Sequence, residues 1–276
     1  MNRADKSIIL KAEGLTKTFK RPGSSFINNR PDFTAVDNVS FDMKEGELLG
    51  LLGESGCGKS TLARMLMHLT KPDKGKIFLD GEEVQDEKES AFRKKRHLIQ
   101  MVFQNPFDCL DPVRHVKSLL EEPLKLWKPK MDPSERLKKI HEVIGECGLP
   151  DNCLDKLPRE FSGGQLQRIS IARALLIEPK VLIADEIVSA LDVSVQNQIL
   201  NLLLKMKEMH DLSILFITHD LSVAKKVSDR VMVMREGVIK GIGVPEEVFA
   251  ANTDPYIREL ASAVFTFSGR TCSAGE

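Results

Sequence analysis

The 276-residue sequence has one tryptophan, one tyrosine, five cysteines and no net charge, with 40 Lys plus Arg against 40 Asp plus Glu. A balanced charge creates no overall field that favours nucleic acid or an anionic membrane. The cysteines show neither CxxC nor metal-ligand spacing, which indicates a reducing cytosol. No stretch reaches the roughly 18 uncharged apolar residues that a membrane span needs, and no long apolar region follows the N-terminus. If the protein works at a membrane, we therefore expect other chains to hold it there.

The hydrophobic content and the length of the sequence are typical of a globular α/β protein. Hydrophobic residues make up 42% of the sequence, and its length suits one large domain or one domain with an inserted subdomain. Strand patterns give way to short helical patterns over residues 105–165, where we predict a helical subdomain. An α/β core would then comprise residues 1–104 and 166–245, with residues 246–276 as a C-terminal extension.

The N-terminal part of the core is predicted to contain a small antiparallel sheet. Ser7–Phe19 indicates an opening strand and turn, and the Gly, Ser, Asn and Pro density of Arg21–Pro31 indicates a loop. Strand alternation resumes at Val39–Met43, and a later strand runs into the hairpin signal Asp80–Gly81. We expect this small sheet to lie beside the ligand-binding site of the core.

Several helices are predicted from periodicity and capping residues. Val113–Trp127 is predicted to be helical until Pro123 interferes, and Asp132 is predicted to cap a helix that stops at Gly148. Other helices are expected to bury one apolar face each. The expected buried residues are Leu62, Met65, Leu66 and Leu69 in one helix, Leu166, Ile169, Ala172 and Leu176 in a second, and Val195, Ile199, Leu202, Met206 and Met209 in a third.

Gly53–Thr61 matches the pattern G-x-x-x-x-G-K-[ST] between the buried-strand pattern Leu48–Leu52 and a helix. Its glycines allow successive N–H groups and the helix N-terminus to point at one anion. Lys59 adds a positive charge for the β- and γ-phosphates, and Ser60 supplies a hydroxyl suited to Mg²⁺. We therefore predict a phosphate-binding loop, the alternative being a glycine turn that binds nothing.

A second group of polar residues follows other predicted elements. Ser162 precedes two glycines at a helix start, where exposed N–H groups form a second anion site or a plain capping turn. Asp185 and Glu186 end a buried strand at the usual ligand side of an α/β sheet, so we expect Asp185 to organise Mg²⁺ and Glu186 to activate water. His219 ends another strand and is placed to contact a γ-phosphate, although a lone histidine is more often structural.

Taken in order, these motifs resemble the ATP-binding subunits of ABC transporters, and the resemblance covers nearly the whole chain. It implies a P-loop NTPase (RecA-like) core with a mostly parallel sheet, a small antiparallel β subdomain and an inserted α-helical subdomain. The motifs that carry it are the phosphate loop Gly53–Thr61, the glutamine loop at Gln104, the signature Ser162–Gln165, Asp185–Glu186, Ser189–Asp192 and His219.

The resemblance also implies an ATPase with ATP and Mg²⁺ as cofactors. Its catalytic residues would be Glu186, His219 and Gln104, and its metal contacts would be Ser60, Gln104 and Asp185. Phe19 would stack on adenine, with Phe33 as a rival. The remaining implied nucleotide contacts are Gly53, Ser55, Gly56, Cys57, Gly58, Lys59, Ser60, Thr61, Ser162, Gly163, Gly164, Gln165 and Asp192.

Finer detail is similar to the oligopeptide, dipeptide and nickel importer group. The phrases GESGCGKSTLAR, MVFQNPF and SALDVSVQNQILNLL carry this similarity, as does Asp254–Arg258. It implies import of short peptides, with nickel or a metal chelate as the alternative. Phe161, Ile187 and Asp254 depart from the group's usual leucine, proline and histidine, and the missing proline at 187 removes a rigid φ beside Glu186.

The implied partners are a second ATP-binding subunit, identical or homologous, and transmembrane permease subunits. An extracytoplasmic solute-binding protein would act indirectly, and no nucleic acid is expected. The protein would lie peripherally on the cytoplasmic face of the cell membrane. Two other classes compete: a soluble ABC-type ATPase in nucleic-acid or ribosome work, whose relatives commonly carry two ATPase units or a coiled-coil arm, and a small-molecule P-loop kinase, which leaves Ser162–Gln165 unused.

Overall fold

The structure is a computed structural model that describes residues 6–20, 32–86, 88–250 and 254–268. The chain divides into two compact units, one formed by Met1–Glu89 with Leu215–Glu276 and the other by Ser90–Ile214. The predicted loop Arg21–Pro31 lies outside the described residues.

Strands and helices are numbered along the chain. The strands are β1 (Ile8–Phe19), β2 (Phe33–Lys44), β3 (Leu48–Leu52), β4 (Lys74–Leu79), β5 (Glu82–Glu83), β6 (Ile99–Val102), β7 (Val181–Asp185), β8 (Ser213–Thr218), β9 (Arg230–Arg235) and β10 (Val238–Gly243). The helices are α1 (Lys59–Leu66), α2 (Glu89–Phe92), α3 (Val116–Trp127), α4 (Pro133–Glu146), α5 (Gly163–Leu175), α6 (Val193–His210), α7 (Leu221–Val227), α8 (Pro245–Ala250) and α9 (Pro255–Ser268).

The first unit contains an antiparallel sheet with the described strands in the order β2-β1-β4-β5. β1 pairs with β2 from Ile8 opposite Lys44 to Phe19 opposite Phe33. β4 and β5 are joined by Asp80 and Gly81, whose φ values of 53° and 79° suit the tight turn of a hairpin. The predicted antiparallel sheet and its hairpin are therefore confirmed.

A second sheet in the first unit positions the phosphate loop. Within this unit the strand order is β10-β9-β3-β8, with β3 parallel to β9 and β10 antiparallel to β9. Every residue of β3 is buried, as expected for a strand covered on both faces. Because β3 ends at Leu52, the chain leaves the sheet directly into Gly53.

The second unit, Ser90–Ile214, combines two parallel strands with a group of helices. β6 pairs with β7 in parallel, from Ile99 opposite Val181 to Val102 opposite Ala184. α3 packs on α4 and α5, and α5 packs on α6. The side chains of Asp132, Ser162 and Asp192 cap the N-termini of α4, α5 and α6. These caps fix where each helix starts, and the buried faces of α4 and α5 form much of this unit's apolar interior.

Three local predictions are wrong. Leu69 is exposed because α1 ends at Leu66 and His68 adopts a left-handed φ of 56°, which turns the chain off the helical face. Met209 is 52% exposed, because the last turn of α6 extends past its buried stripe. α3 begins at Val116 rather than Val113 and continues through Pro123 to Trp127. Burial of its apolar face outweighs the backbone hydrogen bond that proline removes.

The predicted fold class is confirmed: the chain is an α/β protein with parallel strands, a small antiparallel sheet and helices in both units. The exact bounds proposed for the core and the helical subdomain stay a prediction. Within the described ranges, no helix combines the length and apolar character that crossing a membrane requires.

Candidate nucleotide-binding site

The phosphate loop of the first unit connects buried β3 to the start of α1. Gly58 precedes α1 with a φ of 114°, and a Cβ at this position would lie 2.1 Å from the carbonyl oxygen of Ala35. Only glycine fits this backbone and this space. The first N–H groups of an α-helix have no acceptor within the helix, and a helix N-terminus of this kind favours an anion.

Lys59 crosses the inside of the same loop. Its side chain is only 4% exposed, and its Nζ donates to the carbonyl oxygens of Gly53 at 2.7 Å and Glu54 at 2.9 Å. These bonds hold a positive charge against the loop backbone. A phosphate placed at the N-terminus of α1 would therefore meet a preorganised cation.

Cys57 is the packing residue of the loop. Its side chain is 7% exposed, and burial raises the pKa of its thiol. The carbonyl oxygen of Cys57 accepts a bond from the N–H of Gly237 at 2.9 Å, and the carbonyl of Gly237 accepts one from Asp37. The turn between β9 and β10 thus fixes the loop from outside.

A cavity of about 220 Å³ adjoins the phosphate loop. Phe33 lines it, whereas Phe19 does not, although the two residues face each other across the β1–β2 pair. The Phe19 ring instead lies 5.7 Å from Nζ of Lys17 and is 41% exposed. The described residues that line the cavity are Phe33, Thr34, Glu54, Ser55, Gly56, Cys57, Arg235, Glu236 and Gly237.

His219 follows β8 in the first unit, at the start of α7. Asp220 caps α7 by accepting from the N–H groups of Ser222 and Val223, and its own N–H donates to Oγ1 of Thr218 at 3.0 Å. This turn leaves the His219 side chain exposed at the end of the strand. The position suits a contact with a charged group in solution.

The carboxylate pair of the second unit follows β7. Asp185, the last residue of the strand, is 8% exposed, and Glu186 has a left-handed φ of 48°. Such a backbone is strained for a residue other than glycine and clusters at functional sites. Ser189 secures the turn, because its N–H and its Oγ both donate to the carbonyl oxygen of Glu186, at 3.2 and 2.9 Å. These bonds hold the turn although Ile187 stands where a proline was expected.

Gln104 lies beside Glu186 at the same edge of the parallel pair. Because Val102 pairs with Ala184, the residues two positions further on each strand reach the same edge. Nε2 of Gln104 donates to Oε2 of Glu186 at 3.4 Å and to Oγ of Ser189 at 3.3 Å. The structure therefore brings together Gln104 and Glu186, two of the three residues predicted to be catalytic.

The signature residues form a reciprocal cap at the start of α5. Oγ of Ser162 accepts from the N–H of Gln165, and Oε1 of Gln165 accepts from the N–H of Ser162 at 3.0 Å. A Cβ on Gly164 would lie 2.4 Å from Cγ1 of Val195, in the first turn of α6, which Asp192 caps. The signature and Asp192 are thus held side by side by this close approach.

Some residues that shape these sites had no predicted role, although Ser189 stands in one of the motifs. Ser189 supports Glu186, and its three-residue spacing from Glu186 was the available signal of a tight turn. Nε2 of Gln167 donates to the carbonyl of Phe103 at 3.5 Å and links the signature helix to the glutamine loop. Arg235 lines the cavity beside the phosphate loop, which no local pattern indicates.

These features of the fold and the site define the class of protein. A phosphate loop after a buried strand, a strained carboxylate after another and a capped SGGQ helix together indicate the ATP-hydrolysing cassette of an ABC protein. A sequence model of the family described as "ABC transporter" matches residues 36–189. The chain belongs to this family and is an ATPase, as its sequence predicted.

The most similar relatives include oligopeptide transport proteins. The chain is 42% identical over 262 residues to the oligopeptide transport ATP-binding protein OppF of Haemophilus influenzae, covering 94% of this chain and 79% of that protein. It is 42% identical over 265 residues to AppF of Bacillus subtilis, covering 96% and 80%. It is 46% identical over 230 residues to OppF of Escherichia coli, covering 83% and 69%. The similarity to the peptide importer group is confirmed.

Solved structures show the same fold. The dimeric, post-hydrolysis form of the cassette MJ0796 bound to ADP and Pi has a TM-score of 0.77 and 30% identity, covering 86% of this chain and 99% of that one. CbiO1 of Clostridium perfringens, part of the transporter complex cbiONQ, has a TM-score of 0.77 and 29% identity, covering 96% and 98%.

Proposed function

We propose that this protein hydrolyses ATP to drive the import of short peptides through a membrane complex. The observation that carries the proposal is the 42% identity over 94% of the chain to an oligopeptide transport ATP-binding protein. The contact between Gln104 and Glu186 supports the hydrolytic part. Nickel or metal-chelate import has no comparable support among these relatives.

ATP binding is assigned to the phosphate loop. Its backbone N–H groups take the phosphates and Lys59 supplies the charge, because both are held by the loop's own bonds before a ligand arrives. Phe33 supports stacking on adenine better than Phe19, since only Phe33 lines the cavity beside the loop. Nucleotide titrations of Phe19→Ala and Phe33→Ala would decide between them.

Mg²⁺ fits the donor groups that the chain offers. Within the described ranges, no group of three or more His, Cys, Asp or Glu side chains forms a self-sufficient metal site. Mg²⁺ bound with a nucleotide typically takes one or two protein oxygens and completes its shell with phosphate and water. Asp185, Ser60 and Gln104 carry oxygen atoms of this chemical type and stay the proposed ligands, and the ion would neutralise phosphate charge.

Hydrolysis is assigned to Glu186. Its carboxylate takes the proton of the attacking water or orients that water. Gln104 donates to this carboxylate, and Ser189 holds the backbone carbonyl of Glu186. The left-handed backbone at Glu186 supports this role, because such conformations cluster at functional sites. His219 is assigned a contact with the γ-phosphate.

The signature residues are assigned to a second subunit's nucleotide. Ser162 and Gly163 stand at the N-terminus of α5, where free N–H groups favour an anion. A related cassette, MJ0796, has been solved as a dimer. Each chain would then contribute its signature to the ATP on its partner, which is either identical or homologous.

Transport requires further chains. Transmembrane permease subunits would carry the solute, an extracytoplasmic binding protein would deliver it, and this protein would sit peripherally on the cytoplasmic face. The related CbiO1 is likewise part of a larger complex. Gln104 and the helices of the second unit are the parts through which we expect coupling.

The test is the ATPase activity of the complex purified in mild detergent and reconstituted in vesicles. Peptide-loaded binding protein is expected to raise turnover above that of the unloaded binding protein. Stimulation only by a metal-loaded binding protein would transfer the assignment to the nickel branch. Retention of no membrane chain would contradict the transport function.

A further inference from the structure

Tyr256, the only tyrosine of the chain, is buried near the start of α9. Its side chain is 3% exposed, and its N–H donates to Oδ1 of Asp254 at 2.9 Å. Asp254 and Pro255 thereby set the first turn of the helix. The motifs assigned above give this residue no role.

Tyr256 belongs to an apolar cluster that reaches the site. Tyr256 and Ile257 pack in one cluster with Leu52 and Leu221. Leu52 directly precedes Gly53 of the phosphate loop, and Leu221 follows His219 by two positions. Within the first unit, α9 therefore packs beside the start of the phosphate loop and beside the turn that carries His219.

The hydroxyl of Tyr256 lies beside the backbone of Glu54. It is buried and makes no hydrogen bond of regular geometry to the described residues. Burial and the charge of Glu54 raise the pKa of this hydroxyl, and the neighbouring Glu54 backbone opposes that rise. Phenylalanine would fill the apolar cluster without burying a polar atom. What the tyrosine adds is a hydroxyl group beside the phosphate loop.

Arg235 connects the Tyr256 ring to the loop from another side. Its guanidinium carbon lies 4.5 Å from the ring centroid, a cation–π contact that restrains the arginine. The same side chain lines the cavity with Glu54 and Ser55. Two residues further on, the N–H of Gly237 donates to the carbonyl oxygen of Cys57 at 2.9 Å. A short series of contacts thus runs from α9 into the phosphate loop.

We propose that Tyr256 and Arg235 are positioning residues for ATP, which hold the loop segment Glu54–Cys57 so that α9 sets its affinity for the nucleotide. A loop already held in its binding conformation loses less conformational entropy when the phosphates arrive. The proposal rests on the proposed function, because it concerns the affinity of the loop assigned there.

The experiment measures the ATP Kd of the full chain by titration. Tyr256→Leu removes ring and hydroxyl and is expected to raise Kd about three- to tenfold. Arg235→Gln is expected to raise the ATP Kd as well. The double variant is expected to raise Kd no further than the single variant with the larger effect, since the two residues act through one contact. Tyr256→Phe keeps the ring and should raise Kd about twofold.

Phe249→Leu is the matched control, because Phe249 packs on the same cluster but does not line the cavity. It should lower the unfolding temperature and leave Kd unchanged. A parental Kd in Tyr256→Leu, or an equal rise in Phe249→Leu, would overturn the proposal. If Tyr256→Leu does not fold, parental values in both Tyr256→Phe and Arg235→Gln would overturn it. Failure of the parent chain to bind ATP would contradict the proposed function itself, and the positioning role with it.

Discussion

Gln104 donates a hydrogen bond from Nε2 to the carboxylate of Glu186 at 3.4 Å, and so connects the glutamine loop to the predicted catalytic base. The same amide reaches Ser189, which secures the turn that carries Glu186. A change in the position of the glutamine loop can therefore act on the Glu186 carboxylate through this hydrogen bond.

Gln104→Ala removes the hydrogen bond to the Glu186 carboxylate. We expect stimulation of ATPase activity by the permease and loaded binding protein to fall more than basal turnover, because the carboxylate stays present but loses its connection. The measurement compares turnover of the subunit alone with that of the reconstituted complex. Gln100→Ala is the control, since among the described residues its side chain donates to the nearby carbonyls of Arg96 and Ile99 and not to Glu186. Equal losses in both assays would contradict a coupling role.

Lys59→Ala tests the phosphate loop. Removing a buried, hydrogen-bonded charge partner costs about 2–5 kcal/mol, so the ATP Kd should rise by about 30-fold or more. Titration with ATP gives the Kd, and a thermal melt without nucleotide checks that the loop still folds. Lys71→Ala, which removes an exposed lysine paired with Asp86, should change neither value appreciably. An unchanged affinity in Lys59→Ala would contradict the assignment of the loop.

Gly163→Asp tests whether the signature acts on a partner's nucleotide. The nearest atom to a Cβ at Gly163 is Cδ2 of Leu191 at 3.5 Å, so a side chain fits within the monomer. An acidic residue also suits a helix N-terminus, so the fold should be kept. In a Glu186→Gln background with ATP, we expect light scattering to show a dimer for Gly163→Ala and a monomer for Gly163→Asp. Equal dimer fractions would remove the role across subunits.

Glu178 provides a test of stability against pH. Hydrogen bonds from Lys128 at 2.8 Å and Lys139 at 2.7 Å lower the pKa of its carboxyl to about 2 from an ordinary 4.5. A lowered folded pKa means that the stabilisation is present above about pH 4.5 and is lost as the pH falls towards 2. Because the side chain is half exposed, Glu178→Gln should cost only about 0.5–1 kcal/mol at neutral pH. Urea unfolding should show this difference shrinking below pH 4.5, and a difference that grows there would contradict it.

The sequence predicted the elements whose signals are local. Ser162 before two glycines indicated the cap of α5, and Asp80–Gly81 indicated a hairpin, because both depend on a few adjacent residues. Leu69 and Met209 were assigned to buried faces because periodicity alone does not show where a helix stops contacting the core.

Features set by distant parts of the chain were not predictable in this way. Phe33 and Phe19 are equivalent as aromatic residues, and only the placement of the two strands brings Phe33 to the cavity. The contact between Arg235 and Tyr256 likewise joins β9 to a helix about twenty residues later.

The central claim is that Glu186 activates water for ATP hydrolysis, and Glu186→Gln tests it most directly. The amide keeps the shape of the side chain but cannot take a proton, so ATP binding should persist while turnover falls by roughly 10² to 10⁴. Parallel measurements of ATP Kd and phosphate release on the purified protein give both values. Unchanged affinity with that loss of turnover is the predicted result, and phosphate release at the parental rate would contradict it.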